Sequence, residues 1–223
     1  MKAHLKMLFP LIMQHACAAE MFLNSALPSF FMEELLKLAE QIADKDLKDK
    51  TKKFLKDLSI SCKSIHYSKA DIEKAPAWIG AHHDYEGGLK EHTISVTKLS
   101  LLIAEHFEKT YKKKVNKDFI IAGALLHDIM KVFLLKKSGG LWTFTGSLLD
   151  HAFFSAAELY ARGFPEEVIH IVAAHGGDTC AASPRTIEAA IVYYADVLDS
   201  SLEFNINKNL EDIIKAINLS ASE

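Results

Sequence analysis

Residues 118–134 read DFIIAGALLHDIMKVFL and form the most informative stretch of this 223-residue chain. Apolar side chains surround almost the whole helical circumference here, which predicts a helix buried at the centre of a bundle. The adjacent pair His127 and Asp128 interrupts this apolar stretch. A buried polar side chain without a partner costs several kcal/mol, so the pair needs a counter-charge. We therefore predict that a divalent cation lies beside it.

Apolar periodicity elsewhere indicates helices almost throughout the chain. We find no internal repeat, no low-complexity tract and no interdomain linker. Residues 59–80 are predicted to be a loop, and Leu141, Trp142, Thr143 and Phe144 to form a short hairpin. The sequence therefore predicts an all-α fold with one helical-bundle domain over residues 32–223 and an N-terminal helical extension over residues 1–31. Outside residues 118–134, the predicted helices span 32–43, 46–58, 89–109, 148–161, 165–175, 185–203 and 209–219.

The composition is that of a globular protein without a strong charge bias. Hydrophobic residues make up 49%, and 26 basic and 29 acidic residues give a net charge of −3. Disordered and fibrous proteins are excluded, and the basic excess typical of nucleic-acid-binding proteins is missing. The three cysteines are far apart in the sequence and form no disulfide framework, which favours a cytoplasmic location for the protein.

The N-terminal residues leave two interpretations open. An apolar run over residues 7–13 followed by small residues has the outline of a signal peptide, but Pro10 breaks the run and Gln14 ends it. The run is also too short to span a membrane. We expect an amphipathic helix that packs on the domain or on a second copy of the chain, which makes a homodimer possible.

Side chains that commonly bind metals recur at the ends or within the predicted apolar helices. Imidazole and carboxylate ligands without thiolate suit Mn, Fe, Co, Ni or Zn. Because a carboxylate has two oxygens, one aspartate could bridge two ions, so we predict one or two metals per chain. Lys131 shares a helical face with the His127–Asp128 pair and could meet a phosphate oxygen. The predicted ligands are His92, His127, Asp128, His151, His175 and Asp196.

The order of these residues resembles the HD-domain metal-dependent phosphohydrolases. Four segments, AHHDYEGGLKEHTISV (81–96), AGALLHDIMKV (122–132), TGSLLDH (145–151) and AAHGG (173–177), are similar to one branch. That branch is the HD domain of bacterial 3′-to-5′ exoribonucleases, which join it to an OB-fold. The resemblance covers residues 32–205, most of the chain.

The resemblance implies specific roles for the residues that match the family pattern. His92, His127, Asp128 and Asp196 would hold one metal, and Asp128 would bridge to a second metal held by His151 and His175. Lys131 would be the motif lysine, and His82 and His83 would contact the substrate. Two interpretations of Asp199 stay open: it orients a ligand or substrate, or it caps or pairs locally.

Two departures from the family pattern bear on function. Met130 replaces the glycine of the usual His-Asp-Ile-Gly-Lys motif, and we expect its side chain to narrow the pocket. The chain has no room for an OB-fold before residue 32, so we expect a small nucleotide or phosphate ester as substrate and not a nucleic acid. A metal-bound hydroxide would attack phosphorus, with Asp128 and Lys131 as catalytic residues. The alternatives are an HD-type di-iron oxygenase and a catalytically decayed nucleotide-binding domain.

Overall fold

Helices make up nearly all the regular structure of residues 28–180 and 182–220, the part of the chain that the computed structural model describes. Within these residues the all-α prediction is confirmed. A small antiparallel hairpin, β1 (Leu135–Ser138) and β2 (Leu141–Phe144), and two short 3-10 helices, Ile129–Phe133 and Gly177–Thr179, complete the fold. The helices are α1 (Pro28–Glu40), α2 (Lys45–Lys56), α3 (Gly88–Tyr111), α4 (Lys117–Leu126), α5 (His151–Ala161), α6 (Glu166–Ala174) and α7 (Ile187–Ser220).

Helix α4 occupies the centre of the bundle, as its apolar sequence predicts. Every residue from Ile120 to Leu126 is buried, and the helix packs against α3, α6 and α7 as well as α1 and α2. Asn116 begins it, because its side chain accepts hydrogen bonds from the backbone N–H groups of Asp118 and Phe119. Because α4 is central, the residues that follow its C-terminal end, His127 and Asp128, are also buried.

Close packing between α4 and α6 depends on Gly123. A Cβ atom at this position would lie 2.4 Å from Cγ2 of Ile171, well inside van der Waals contact. The absence of a side chain lets the two helices approach, and their C-terminal ends then bring His127 and His175 together, with ring centroids 4.9 Å apart.

The prediction of a continuous helix through residue 134 is wrong. Helix α4 ends at Leu126, and Asp128 leaves helical geometry with φ −109° and ψ −1°. A 3-10 helix then follows. This local break separates the directions of His127 and Asp128, and it also turns Lys131 back so that its ammonium reaches Asp128.

Two other predicted boundaries also differ from the structure. The predicted helices 185–203 and 209–219 form one helix, α7, which begins at Ile187 and within which the side chain of Asn205 donates to the backbone oxygen of Ser201 at 2.7 Å. The hairpin is longer than residues 141–144 and pairs Leu135 with Phe144.

The N-terminal part of the chain is described only from Pro28. Residues 1–27 of the predicted extension lie outside the described residues, and α1 begins four positions before the expected boundary at residue 32. The division into an extension and a domain stays a prediction. Among the described helices, none has the length and apolar character required to cross a membrane.

Candidate metal centre

The structure brings all six predicted metal ligands into one cluster. His92 comes from the first turns of α3 and Asp196 from α7, while His151 begins α5. His127 and His175 follow the last residues of α4 and α6, where each lies at the C-cap position. Asp128 follows His127 directly at the end of α4. The helices α3 to α7 therefore all meet here, and only α4 brings two of the six side chains.

The first group of ligand atoms contains His92, His127 and Asp196. The Nε2 atom of His92 lies 3.3 Å from Nε2 of His127 and 3.1 Å from Oδ1 of Asp196. Metal bonds of about 2.0–2.2 Å place neighbouring ligand atoms about 3 Å apart. The spacing of this group therefore suits one transition-metal ion.

The second group contains His151, His175 and Asp128. The Nε2 atoms of the two histidines are 3.1 Å apart, and they lie 3.3 Å and 3.5 Å from Oδ1 of Asp128. Oδ1 is buried and accepts no hydrogen bond within the described residues. A carboxylate oxygen in this position needs a positive partner, which a cation would supply.

Asp128 belongs to both groups. Its Oδ2 atom lies 3.4 Å from Nε2 of His92 and 3.5 Å from Nε2 of His127, while Oδ1 faces the second group. One oxygen of a single carboxylate thus points at each group, which is the arrangement of a ligand that bridges two ions. The donor atoms present fit two metals.

Hydrogen bonds on the opposite ring nitrogens orient three of the histidines. Nδ1 of His127 donates to the backbone oxygen of Ala124, and Nδ1 of His175 donates to that of Val172, each at 2.7 Å. Nδ1 of His92 donates to Oδ2 of Asp199, also at 2.7 Å. A proton on Nδ1 leaves the Nε2 lone pair free, so each ring is held in the tautomer that binds a metal.

Burial and charge set the protonation of the cluster. Burial lowers the pKa of His151 to about 3, which keeps its imidazole neutral and able to bind a metal. Burial opposes the charged form of His92 as well, but hydrogen bonds to Asp128, Asp196 and Asp199 outweigh it and raise the pKa of His92 well above its usual value. The carboxylates around His92 therefore attract a positive charge, either a proton or a metal.

Lys131 lies inside the cluster and not on a solvated surface. Its ammonium donates to Oδ2 of Asp128 at 2.5 Å and lies 5.2 Å from the centre of the Trp78 ring. Burial raises the pKa of Asp128, but Lys131 and His127 outweigh it and hold that pKa well below the usual value. The lysine is thus close enough to the cluster to meet an anion there.

Met130 does not narrow this site as we expected. Its side chain is completely buried in the main hydrophobic core, together with Ile129 and Val132. The methionine therefore contributes to packing beneath the motif.

The predicted substrate residues His82 and His83 lie next to the first group. Their rings are centred 4.7 Å and 5.1 Å from the ring of His92, and burial lowers the pKa of His82 to about 3. His83 adopts φ 49° and its backbone N–H donates to Oε2 of Glu203 at 2.6 Å. Both histidines are brought to the site, and their contact with substrate stays a prediction.

Glu203 is a residue of the site that was not predicted from the sequence. It follows Asp196 by seven residues and Asp199 by four, so the three carboxylates lie along one stripe of α7. That spacing was available in the sequence. What the sequence does not show is the partner of Glu203, the backbone N–H of His83, which is 120 positions away.

The comparison with protein families agrees with this geometry. The HD domain family model matches residues 89–201, a range that contains all six predicted ligands. The chain belongs to the HD domain family. The family resemblance and the all-α fold are both confirmed.

Several curated proteins are similar to this chain over its HD domain. A dihydroneopterin 2′,3′-cyclic phosphate phosphodiesterase from Methanocaldococcus jannaschii is 50% identical over 173 residues, which cover 77% of this chain and 70% of that protein. The 3′-5′ exoribonucleases YhaM of Listeria monocytogenes serotype 4b and Bacillus subtilis are 32% and 30% identical over 148 residues. Those matches cover 59% and 60% of this chain but only 44% and 45% of the exoribonucleases. No solved structure matches the chain significantly.

Proposed function

We propose that this HD domain is a metal-dependent phosphodiesterase that hydrolyses a small nucleotide-like ester, most simply a cyclic phosphate. The observation that carries the proposal is the position of Asp128, whose two oxygens face two separate groups of histidines. The relative that is 50% identical is named for hydrolysis of a cyclic phosphate, and the exoribonucleases also cleave phosphodiesters. Hydrolysis of a phosphodiester is what these names share.

Two divalent transition metals would be held by the two groups. His92, His127 and Asp196 would bind one, His151 and His175 the other, and Asp128 would bridge them. Bound there, the metals would supply Lewis acidity, which activates water at neutral pH and neutralises charge on the phosphoryl oxygens. The candidate metals are Mn, Fe, Co, Ni and Zn, because the ligands are imidazoles and carboxylates.

The remaining polar side chains would bind and orient the phosphate. Lys131 would move its ammonium from Asp128 onto a non-bridging oxygen, where its charge stabilises the transition state. His82 is half-buried and its imidazole is neutral, so it can donate a hydrogen bond to the substrate. In the reaction water adds to phosphorus, one P–O ester bond breaks, and the leaving oxygen takes up a proton.

The charge of the chain supports a small substrate over a nucleic acid. Basic and acidic residues nearly balance, at 26 and 29, whereas binding along a polynucleotide requires several phosphate contacts from basic side chains. The matched part of the exoribonucleases is less than half of their length, so their activity on polymers is not proposed for this chain. Phosphodiester hydrolysis by the named relatives also favours the hydrolase over the oxygenase alternative.

The test is hydrolysis of dihydroneopterin 2′,3′-cyclic phosphate by protein stripped with a chelator and reloaded with each candidate metal. We expect no activity in the stripped protein, recovery with at least one metal, and loss of that activity in Asp128→Ala. Asp49→Asn removes an exposed carboxylate on α2 and serves as the matched control, with activity equal to the wild type.

Two results would contradict the proposal. Hydrolysis that survives both chelation and Asp128→Ala would place the chemistry elsewhere. Dioxygen uptake by the iron-loaded protein, without cleavage of any phosphate ester, would favour the oxygenase alternative.

A further inference from the structure

A pocket with aromatic walls lies beside the second metal group. It has a volume of about 310 Å³, and its walls include Trp78, Phe144 and residues 146–150. We call it the aromatic pocket. Volumes of about 300–1,000 Å³ are typical of cavities that bind small molecules.

The aromatic pocket adjoins the side of the cluster that is open to substrate. His151 exposes 22% of its side chain, whereas Asp128 and His175 on the same group expose 2% each. The ring of Trp78 is centred 5.7 Å from the ring of His151 and 5.2 Å from the ammonium of Lys131. A phosphate bound at the second metal group and by Lys131 would therefore have the rest of its ester directed past Trp78.

Two aromatic rings line the aromatic pocket. Trp78 and Phe144 have ring centroids 5.5 Å apart at an interplanar angle of 58°, and Phe144 exposes 49% of its surface. Aromatic rings that line a site for phosphate esters suit stacking against a planar heterocycle, which is worth about 1–3 kcal/mol per base. Leu148, 95% exposed at the rim, adds further apolar surface.

The polar side chains of the aromatic pocket already take part in local structure. Ser147 donates to the backbone oxygen of Leu149 at 3.0 Å, and Asp150 accepts a hydrogen bond from the N–H of Phe153 as the N-cap of α5. Recognition would therefore rely on stacking and shape, which accept different fused-ring bases.

We propose that Trp78 and Phe144 form a stacking subsite for a fused-ring heterocycle and thereby determine substrate specificity. The substrate class is a phosphate ester that carries a purine-like or pterin-like ring. This inference rests on the proposed function, since it assumes that the phosphate binds at the metal centre.

The kinetic test compares an ester that carries a fused-ring base, guanosine 2′,3′-cyclic phosphate, with one that carries no base, glycerol 1,2-cyclic phosphate. The measured ratio is kcat/KM for the guanosine ester divided by kcat/KM for the glycerol ester. In Phe144→Ala we expect this ratio to fall about tenfold, mainly because KM for the guanosine ester rises. Phe144→Tyr keeps an aromatic face and should restore the ratio. Leu141→Ala removes an exposed residue from the opposite face of the same strand and serves as the matched control.

A ratio unchanged in Phe144→Ala, or a Leu141→Ala variant that lowers it equally, would overturn the subsite. A binding measurement separates this failure from failure of the proposed function. The chain has two tryptophans, so Trp142→Phe leaves Trp78 as the only indole fluorophore. Guanosine 2′-monophosphate should quench its emission, and Phe144→Ala should weaken that binding about tenfold. Absence of quenching would overturn the subsite, whether or not any ester is hydrolysed.

Discussion

The Nδ1 atom of His92 donates a 2.7 Å hydrogen bond to Oδ2 of Asp199, although the two residues are 107 positions apart. The other oxygen of Asp199 accepts a hydrogen bond from Ser95, one turn beyond His92 on α3. Asp199 therefore joins α7 to α3 and holds the His92 ring with Nε2 directed at Asp196 and Asp128. A carboxylate behind a metal-binding histidine also makes the ring a stronger ligand.

Asp199→Ala should weaken metal binding without removing any ligand atom. Loss of a carboxylate that orients a ligand typically costs about 10–100-fold in metal affinity, and we expect a loss in this range for the first group. Competition with a chromogenic chelator measures it. Asp49→Asn, which alters an exposed carboxylate on α2, should retain wild-type affinity. Equal affinities in all three proteins would show that Asp199 only links the helices.

His151→Ala should halve the metal content. His151 contacts only the second group, while His92, His127 and Asp196 form the first group without it. Elemental analysis of protein purified without chelators should give close to two transition metals in the wild type and close to one in the variant. His106→Ala removes an exposed histidine of α3 and should leave two. A wild-type content of one metal, unchanged by His151→Ala, would contradict the bridging role of Asp128.

The six predicted ligands are visible in the sequence, whereas the local break at Asp128 is not. The order of histidines and aspartates on apolar helices is visible in the sequence, because polar side chains at buried positions stand out. The end of α4 is not visible, since residues 127–134 contain neither proline nor glycine and five of the eight are apolar. The break is stabilised by contacts from other elements, such as His92 and His151 around Asp128, which periodicity does not report.

The carboxylates of α7 show a second limit. Asn205 and Asn207 indicate a helix end by propensity, yet both side chains bond within the helix, to Ser201 and Glu203. The predicted helix 185–203 already places Glu203 on one stripe with Asp196 and Asp199. Nothing in that stripe indicates that Glu203 accepts a hydrogen bond from the backbone of His83, which lies 120 positions earlier in the chain.

Met130→Gly should lower stability and not open the site. The side chain is completely buried in the main core, and removal of a buried methionine side chain costs about 2–5 kcal/mol. Urea unfolding measures the loss, which corresponds to a Tm lower by roughly 4–20 °C at about 2–4 °C per kcal/mol. Leu102→Ala, at a position of α3 that is 63% exposed, should change stability by about 0.5 kcal/mol or less. A Met130→Gly variant that is as stable as the wild type and has a changed substrate range would show that the Met130 side chain limits the pocket.

Gly123→Ala should loosen the contact between α4 and α6. The new Cβ would lie 2.4 Å from Cγ2 and 2.9 Å from Cβ of Ile171, so the helices must separate. Overpacking of this kind costs about 1–3 kcal/mol, which exceeds the gain of up to about 1 kcal/mol in helix propensity. Because His127 and His175 lie at the ends of these helices, metal affinity should fall together with stability.

A double-mutant cycle with Ile171→Ala isolates this clash. Ile171→Ala alone should destabilise by about 2–5 kcal/mol through the cavity it leaves. In the double variant the alanine at position 123 would occupy part of that cavity, so the combined loss should be smaller than the sum of the two single losses. Urea unfolding of the four proteins gives the coupling energy. Strict additivity would show that Gly123 does not set the distance between α4 and α6, and the positions of His127 and His175 would then depend on other contacts.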